Sequence, residues 1–447
     1  MKNLAIKEVK NKDMRGKSPD QEQGNMFRDL KDICNPNDQL VKLSEKIPWK
    51  EFEDAFGKYY SNKGRPSKPV RLMVSLLILK VIYNLGDETV VKAWVKNPYW
   101  QYFSGEQYFQ WKPPIDPSEL VHFRKRIGEK GIEKIFEVSV KIFGRSSLEK
   151  EVVIDTTVQE KNITYPTDVK LYRKIIAGCN KIAKTESIEQ RQTYVRKVKE
   201  LLMLQRFRNH PKNKGKAKKA EKKLKTIAGR LVRELERKLE TEKLSNYEDQ
   251  IKIYKRILEQ KRKDKNKIYS IHEPEVVCIA KGKEHKPYEF GSKVAIAMTK
   301  KSGIIVGAVN FTKSIYDGHT LDDTLSQTEK VTGRRPKAAI VDRGFRGRKW
   351  VGETEIVGPK PPGKKTTGYQ KKKARQRFRR RAAIEPVIGH LKTEFGMGRN
   401  YLKGIEGDAI NAILSAAAFN YKKFLNKLEN IFHFLWSLNL RMILLKI

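Results

Sequence analysis

The chain has few cysteines, few acids and no long uninterrupted apolar run. Its three cysteines, Cys34, Cys179 and Cys278, are odd in number and scattered over 447 residues. That excludes a disulfide framework and a C-x-x-C metal knuckle, and it points to a reducing setting in which each cysteine is a small buried apolar residue. The apolar stretch Leu72 to Tyr83 is broken by Ser75 and Lys80 and falls short of the roughly 20 residues a spanning helix needs, so no transmembrane segment is expected. The N-terminal M-K-N-L-A-I-K-E-V-K lacks the apolar region of a secretory signal. Acid is scarcest relative to its counterpart: 52 Asp plus Glu face 95 Lys plus Arg, a formal charge of +43. Solubility needs nothing so large. The partner implied is a polyanion, nucleic acid first and a membrane surface second.

Enough is present to build a core. Apolar residues make up 38% of the chain, and at about 150 residues per domain two or three domains are expected. Residues 1–25 are polar and without periodicity, and are read as a mobile basic arm. From residue 26 to 145 short helical segments alternate with turn signals: Lys63 to Ser67 marks a break, and Val70 to Tyr83 is apolar enough for a core helix. Asp116-Pro117-Ser118-Glu119 spells a helix start with a capping box, the helix running through Arg124, Lys125 and Arg126 to Gly128. Those three cations suggest a face laid on phosphates, with Arg124 and Arg126 as DNA contacts. The aromatic segment Asn97 to Trp111 reads as helical core before it reads as a base-stacking platform. The whole segment is expected to be a helical DNA-binding domain, helix-turn-helix being the working hypothesis.

A strand over residues 150–158 opens a second domain, and Asp168 is expected as a helix cap. Residues 169–267 then form a basic, helical, coiled-coil-like insertion. Leu224, Ala228, Leu231 and Leu235 repeat at three and four, as do Leu244, Tyr247, Ile251, Tyr254 and Leu258. Residues 195–265 carry 25 Lys or Arg against 10 Asp or Glu, which favours nucleic-acid contact over a solvated spacer. The sheet resumes at Glu275 to Ala280. A hairpin follows, Lys293 to Thr299 and Ile304 to Phe311 around Gly303, then a helix Thr320 to Thr332 stopped by Gly333, and a short strand Thr354 to Val357. Residues 268–425 complete this domain, and 426–447 form an apolar C-terminal helix, packed or facing an oligomer partner. The order of elements resembles ribonuclease-H-like folds, an α/β class with a mixed sheet flanked by helices.

Three acids stand out. Asp155 ends the apolar run of E-V-V-I-D, Asp342 ends that of K-A-A-I-V-D, and Glu385 lies in F-R-R-R-A-A-I-E-P-V-I-G-H-L-K, read as one helix. There Arg381, Glu385 and Lys392, at offsets of four and seven, share a stripe. Alone, Glu385 is a surface acid paired with Arg381. Three carboxylates converging from two strands and a helix instead make a site for a hard divalent cation. The preceding residues 360–381 hold 11 cations and no acid, the compensation a phosphodiester needs to approach such a site.

These motifs carry a family with them. With N-P-Y-W-Q-Y-F-S-G, V-I-D-T-T-V-Q-E-K-N-I, Y-S-I-H-E-P-E-V-V-C-I-A-K-G-K, Y-D-G-H-T-L, V-D-R-G-F-R-G and R-R-R-A-A-I-E-P-V-I-G-H-L-K, the sequence resembles bacterial insertion-sequence transposases of the DDE class, in particular the insertion-sequence-five group. The family signature of Tyr, Arg, Glu and Lys maps onto Phe378, Arg381, Glu385 and Lys392, with Phe378 replacing the Tyr. The resemblance implies a catalytic, metal-holding triad of Asp155, Asp342 and Glu385, served by two Mg2+ ions with Mn2+ as a substitute, about 3.5 to 4 Å apart. It implies that Arg381 and Lys392, and less strongly Arg343 and Arg346, steady DNA phosphates. His319 and His390 are expected to be structural. The expected activity is cleavage at terminal inverted repeats and strand transfer into target DNA, by a homodimer in the bacterial cytoplasm beside the nucleoid. The rival readings are an inactive DNA-binding remnant and a ribonuclease-H-like nuclease.

Overall fold

The computed structural model describes residues 29–60, 66–261, 263–282, 284, 286–359 and 367–444, with side chains through 429 except at 373, 374 and 377. The basic arm over 1–25, most of the turn around Gly64, and the side chains of the apolar tail lie outside the described residues. Seven helices open the chain: α1 Leu30–Ile33, α2 Gln39–Lys46, α3 Trp49–Gly57, α4 Val70–Ile82, α5 Asp87–Val95, α6 Pro98–Phe103 and α7 Pro117–Lys141. Helix α4 is apolar on every side, and ten of its residues are buried, as an all-round apolar helix must be. Trp94, Trp100 and Phe103 are core residues, whereas Trp111 is 80% exposed. Asp116 caps α7 by accepting from the Ser118 backbone N–H at 2.8 Å, and Ser118 rather than Glu119 completes the cap. At Gly128 (φ 58°) α7 kinks, a conformation that glycine reaches without strain.

Seven strands form one mixed sheet: β1 Glu151–Glu160, β2 Val277–Ala280, β3 Tyr288–Thr299, β4 Ile305–Phe311, β5 Ala338–Ile340, β6 Trp350–Val351 and β7 Thr354–Val357. The hairpin and the Thr354 strand lie where their sequence signals place them. β1 is central, antiparallel to β3 and parallel to β5, which in turn is parallel to β7. β2 and β4 both pair with the outer edge of β3. Helix α13 Leu321–Thr332, ended by Gly333 at φ 69°, lies over the hairpin, and α16 Gly404–Leu444 packs on β4 and α7. One continuous apolar core runs from α2 through the sheet to α16. No described helix is long and apolar enough to cross a membrane.

Between β1 and β2 stands the insertion: α8 Asp168–Thr185, α9 Val195–Met203, α10 Pro211–Lys238, α11 Thr241–Ser245 and α12 Glu248–Glu259. It has a core of its own, centred on Ile175, Leu224, Ala228, Leu231 and Tyr254. α10 is its spine, with α8, α9 and α12 packed around it. Thr167, not Asp168, caps α8; Asp168 pairs with Lys267 at 3.0 Å, because Thr167 is the residue that keeps extended backbone.

The stretch read as one helix from Phe378 to Lys392 is two. α14 Gly368–Arg379 ends before a 3-10 turn over Arg381–Ala383, and α15 Ile384–Thr393 begins anew. Pro386 is the reason: in a continuous helix its ring would meet the carbonyl four residues back, whereas the first turn of a fresh helix tolerates it.

Candidate active site

Two parallel strands bring the aspartates together. Val153 pairs with Ile340, and two residues further along the chain reaches Asp155, midway along β1, and Asp342, just past the end of β5. Asp342 opens a 3-10 turn, Arg343–Phe345, accepting from the Gly344 backbone N–H at 2.7 Å. A Cβ at Gly344 would come within 2.9 Å of Asp342 Oδ1 and 3.0 Å of Asp317 Oδ2, so the turn requires glycine. Glu385 enters from the first turn of α15, where a carboxylate also favours the helix dipole; α15 is seated on the core by Ile384 and Leu391.

A guanidinium stands at the point where these acids meet. Arg381 Nη2 lies 3.7 Å from Asp155 Oδ2 and 3.7 Å from Asp342 Oδ2, and Nη1 lies 3.5 Å from Glu385 Oε1. These separations exceed hydrogen-bond length, and the attraction is Coulombic. Arg381 Nε is buried without a hydrogen-bond partner. Asp155 is the most enclosed of the three acids, and burial, aided by Asp342 and Asp317, pushes its carboxyl up to about 6 against the pull of the Thr156 backbone N–H and Arg381.

Arg381 therefore binds all three acids, where the sequence offered it only Glu385. Among the described residues no three His, Cys, Asp or Glu side chains are grouped so as to hold a metal as they stand. The donor chemistry nevertheless suits one: three hard carboxylates already face a common cation, and a divalent ion asks for that oxygen set.

A fourth carboxylate escaped the sequence reading. Asp317 lies in Y-D-G-H-T-L, to which no role was attached, and heads the 3-10 turn Asp317–Thr320. Its Oδ1 accepts from Thr156 Oγ1 at 2.8 Å and from Lys293 Nζ at 2.9 Å, and Lys293 also donates to the Ile315 carbonyl at 2.6 Å. The Asp317 network thus ties β1 to β3 beside the Asp342 turn, which it approaches at Gly344. The signal was Lys293 itself, a lysine directly before the apolar run V-A-I-A-M of β3 and so in need of a buried acid.

The remaining candidates divide. Arg124 is no phosphate contact: it is 5% exposed and forms a bidentate pair with Asp87, both bonds 2.7 Å, so burial has committed its charge internally. Arg126 is exposed, with its guanidinium 4.9 Å from the Tyr60 ring centroid. Arg343 and Arg346 are exposed on the turn after Asp342, and Lys392 is half-buried in the last turn of α15. His390 bonds Glu394 at 2.5 Å, and His319 packs edge-on to Tyr316.

A family model described as "Transposase domain (DUF772)" matches residues 28–126, and one described as "Transposase DDE domain" matches residues 258–421, spanning Asp342 and Glu385 but not Asp155. The protein named "Uncharacterized protein ORF8 in nfe locus" from Rhizobium meliloti is 45% identical over 193 residues, covering 42% of this chain and 93% of that protein. No solved structure matches. With one transposase domain over its first helices and another over the strands and helix that carry two of the three converging acids, the chain belongs to the DDE transposase family.

Proposed function

We propose that the chain binds the terminal inverted repeats of an insertion sequence and performs both strand cleavage and strand transfer at Asp155, Asp342 and Glu385. The observation that carries this is the convergence of those three carboxylates, from β1, the end of β5 and α15, upon the single guanidinium of Arg381. They are the residues that would hold Mg2+, with Mn2+ able to replace it. When bound, such ions polarise the phosphodiester and stabilise charge on the attacking and leaving oxygens.

The chain's own groups do the rest. Asp317 and Lys293 tie β1, which carries Asp155, to β3 beside the turn that carries Asp342. Arg381 holds the acids together in the absence of another cation; with a metal among them it is free to turn toward a phosphate, where developing charge calls for a cation. Arg343, Arg346 and Lys392 line the approach, and α14, with six Lys or Arg in twelve residues, makes that approach attractive to a polyanion. The same site serves hydrolysis and strand joining, since only the nucleophile changes. The N-terminal helices recognise the element's ends, Arg126 being the exposed cation of its cluster, and pairing two ends calls for two copies of the chain.

The test is Mg2+-dependent cleavage of a labelled duplex carrying the element's terminal repeat, by the wild type and by Asp342→Ala. The expected result is a cut at the repeat boundary that falls on the order of 10³-fold or more in the variant. Cleavage that persists in Asp342→Ala overturns the assignment of the acid, and binding without cleavage by the wild type supports the remnant reading instead.

A further inference from the structure

The insertion carries a second feature that the acid site does not use. α10 has two faces. Ala220, Leu224, Ile227, Ala228 and Leu231 are buried in the insertion's core, while Lys219, Lys222, Lys223 and Arg230 form an exposed row along the other side. Offsets of three, four and eleven keep these cations on one stripe, about 16 Å long at 1.5 Å per residue. At about 3.4 Å per phosphate along one strand, that length spans roughly five phosphates of a duplex.

The stripe is also one wall of a groove. Between α9 and α10 lies an open cleft of about 570 Å³, lined by Tyr194, Lys197, Lys219, Lys222, Lys223 and Arg230 among others, with five cations and no acid. Tyr194 starts α9 in a left-handed conformation (φ 58°, ψ 12°), uncommon for a residue with a side chain, and its ring packs against the insertion's core at the groove wall. Some lysines of the insertion are answered locally: Lys238 by Glu234, Lys243 by Glu240, Lys252 by Glu248, and in the groove Lys197 by Glu200. Lys219, Lys222, Lys223 and Arg230 have no acidic partner among the described residues.

We propose that this groove is a DNA-backbone site, at which the stripe and the Tyr194 hydroxyl grip phosphates of the duplex without reading its bases. The inference rests on the chain's being a DNA transposase and adds a second contact to it. A row of cations on a rigid helix, with an adjacent phenol donor, suits an evenly spaced anionic strand. A second copy of this chain would bring the same positive surface and be repelled.

The experiment is binding of the full chain, measured by fluorescence anisotropy over a salt series, to a duplex carrying the terminal repeat and to a scrambled duplex of equal length. The wild type is compared with the combined variant Lys222→Ala, Lys223→Ala, Arg230→Ala. All three positions are exposed and alanine is a strong helix former, so the helix persists, as circular dichroism verifies. The expected result is a slope of log K against log salt smaller by about 2.7, at about 0.9 per phosphate contact, with both duplexes weakened equally and the preference for the repeat retained. Lys243→Ala with Lys252→Ala, whose charges are already paired, is expected to leave the slope in place. An unchanged slope in the triple variant overturns the proposal, and a change in sedimentation without a change in slope overturns it in favour of a protein occupant. Failure of the wild type to bind either duplex removes the transposase reading itself, a result distinct from both.

Discussion

The sheet and the insertion place their charges by different rules. In the body formed by the sheet and the N-terminal helices, several ion pairs join residues far apart in sequence and are buried or half-buried: Lys161 reaches Asp408 at 2.7 Å and Glu273 at 3.2 Å, Arg124 reaches Asp87, and Arg381 reaches Asp155 and Asp342. In the insertion most pairs are exposed and three or four residues apart, such as Lys197 with Glu200 and Lys252 with Glu248. In the first region the fold decides which charge meets which; in the second the helix period does. A charge fixed by the fold is compensated inside the molecule. A stripe that the helix period leaves without an acid faces outward, available to an anion from elsewhere.

The largest test of that difference is Lys161→Met. Lys161 is 3% exposed and its ammonium also donates to the Gly404 carbonyl at 3.1 Å, tying the end of β1 to the start of α16. Burial raises the Asp408 carboxyl, and Lys161 and Asn400 oppose that rise, so removing the ammonium strands two enclosed acids. Urea unfolding of the variant is expected to show a loss of about 3 to 5 kcal/mol. A loss under about 1 kcal/mol would mean that these pairs are no more demanding than surface ones.

Next in size is a pH effect at Asp155. Its carboxyl rises from 3.8 to about 6 on folding, so between those values the native state holds more proton than the unfolded chain. The contribution to stability is complete below the lower value and is lost as pH climbs through the upper one, about 3 kcal/mol in all. Denaturation in EDTA at a series of pH values, wild type against Asp155→Asn, isolates it: the wild type should lose stability relative to the variant between about pH 4 and pH 6. A flat difference would show that Arg381 already compensates Asp155 in full.

The same division explains what the sequence disclosed. Asp155 and Asp342 were visible because each ends an apolar run, a signal contained in five or six residues. The hairpin around Gly303 and the stop at Gly333 were local in the same way. Arg381 was seen as the partner of Glu385, four residues on, and not as the hub of three acids, since Asp155 lies 226 residues earlier and only the pairing of β1 with β5 brings it there. Arg124 looked like a phosphate contact because its neighbours are basic, and Asp87 was too distant in sequence to correct that. Asp317 needed Lys293 and Thr156, two strands away, to show its part. Pro386 is the exception: its effect is local, and it divided the single helix that the motif seemed to spell, while Arg381 still meets Glu385 four residues on.

The smallest test is the one that holds the comparison together. Lys252 and Glu248 lie 2.7 Å apart with both side chains about 60% exposed, on a helix whose inner face already secures it through Ile251, Tyr254 and Ile257. Water screens the pair and alanine suits the helix, so Lys252→Ala is expected to change stability by no more than about 0.5 kcal/mol in urea unfolding. If it instead approached the loss at Lys161, the insertion's surface charges would be structural, and the uncompensated stripe on α10 would have to be read as part of a stabilising field. A change within that bound leaves the insertion's fold to its apolar core and its charge free for a partner.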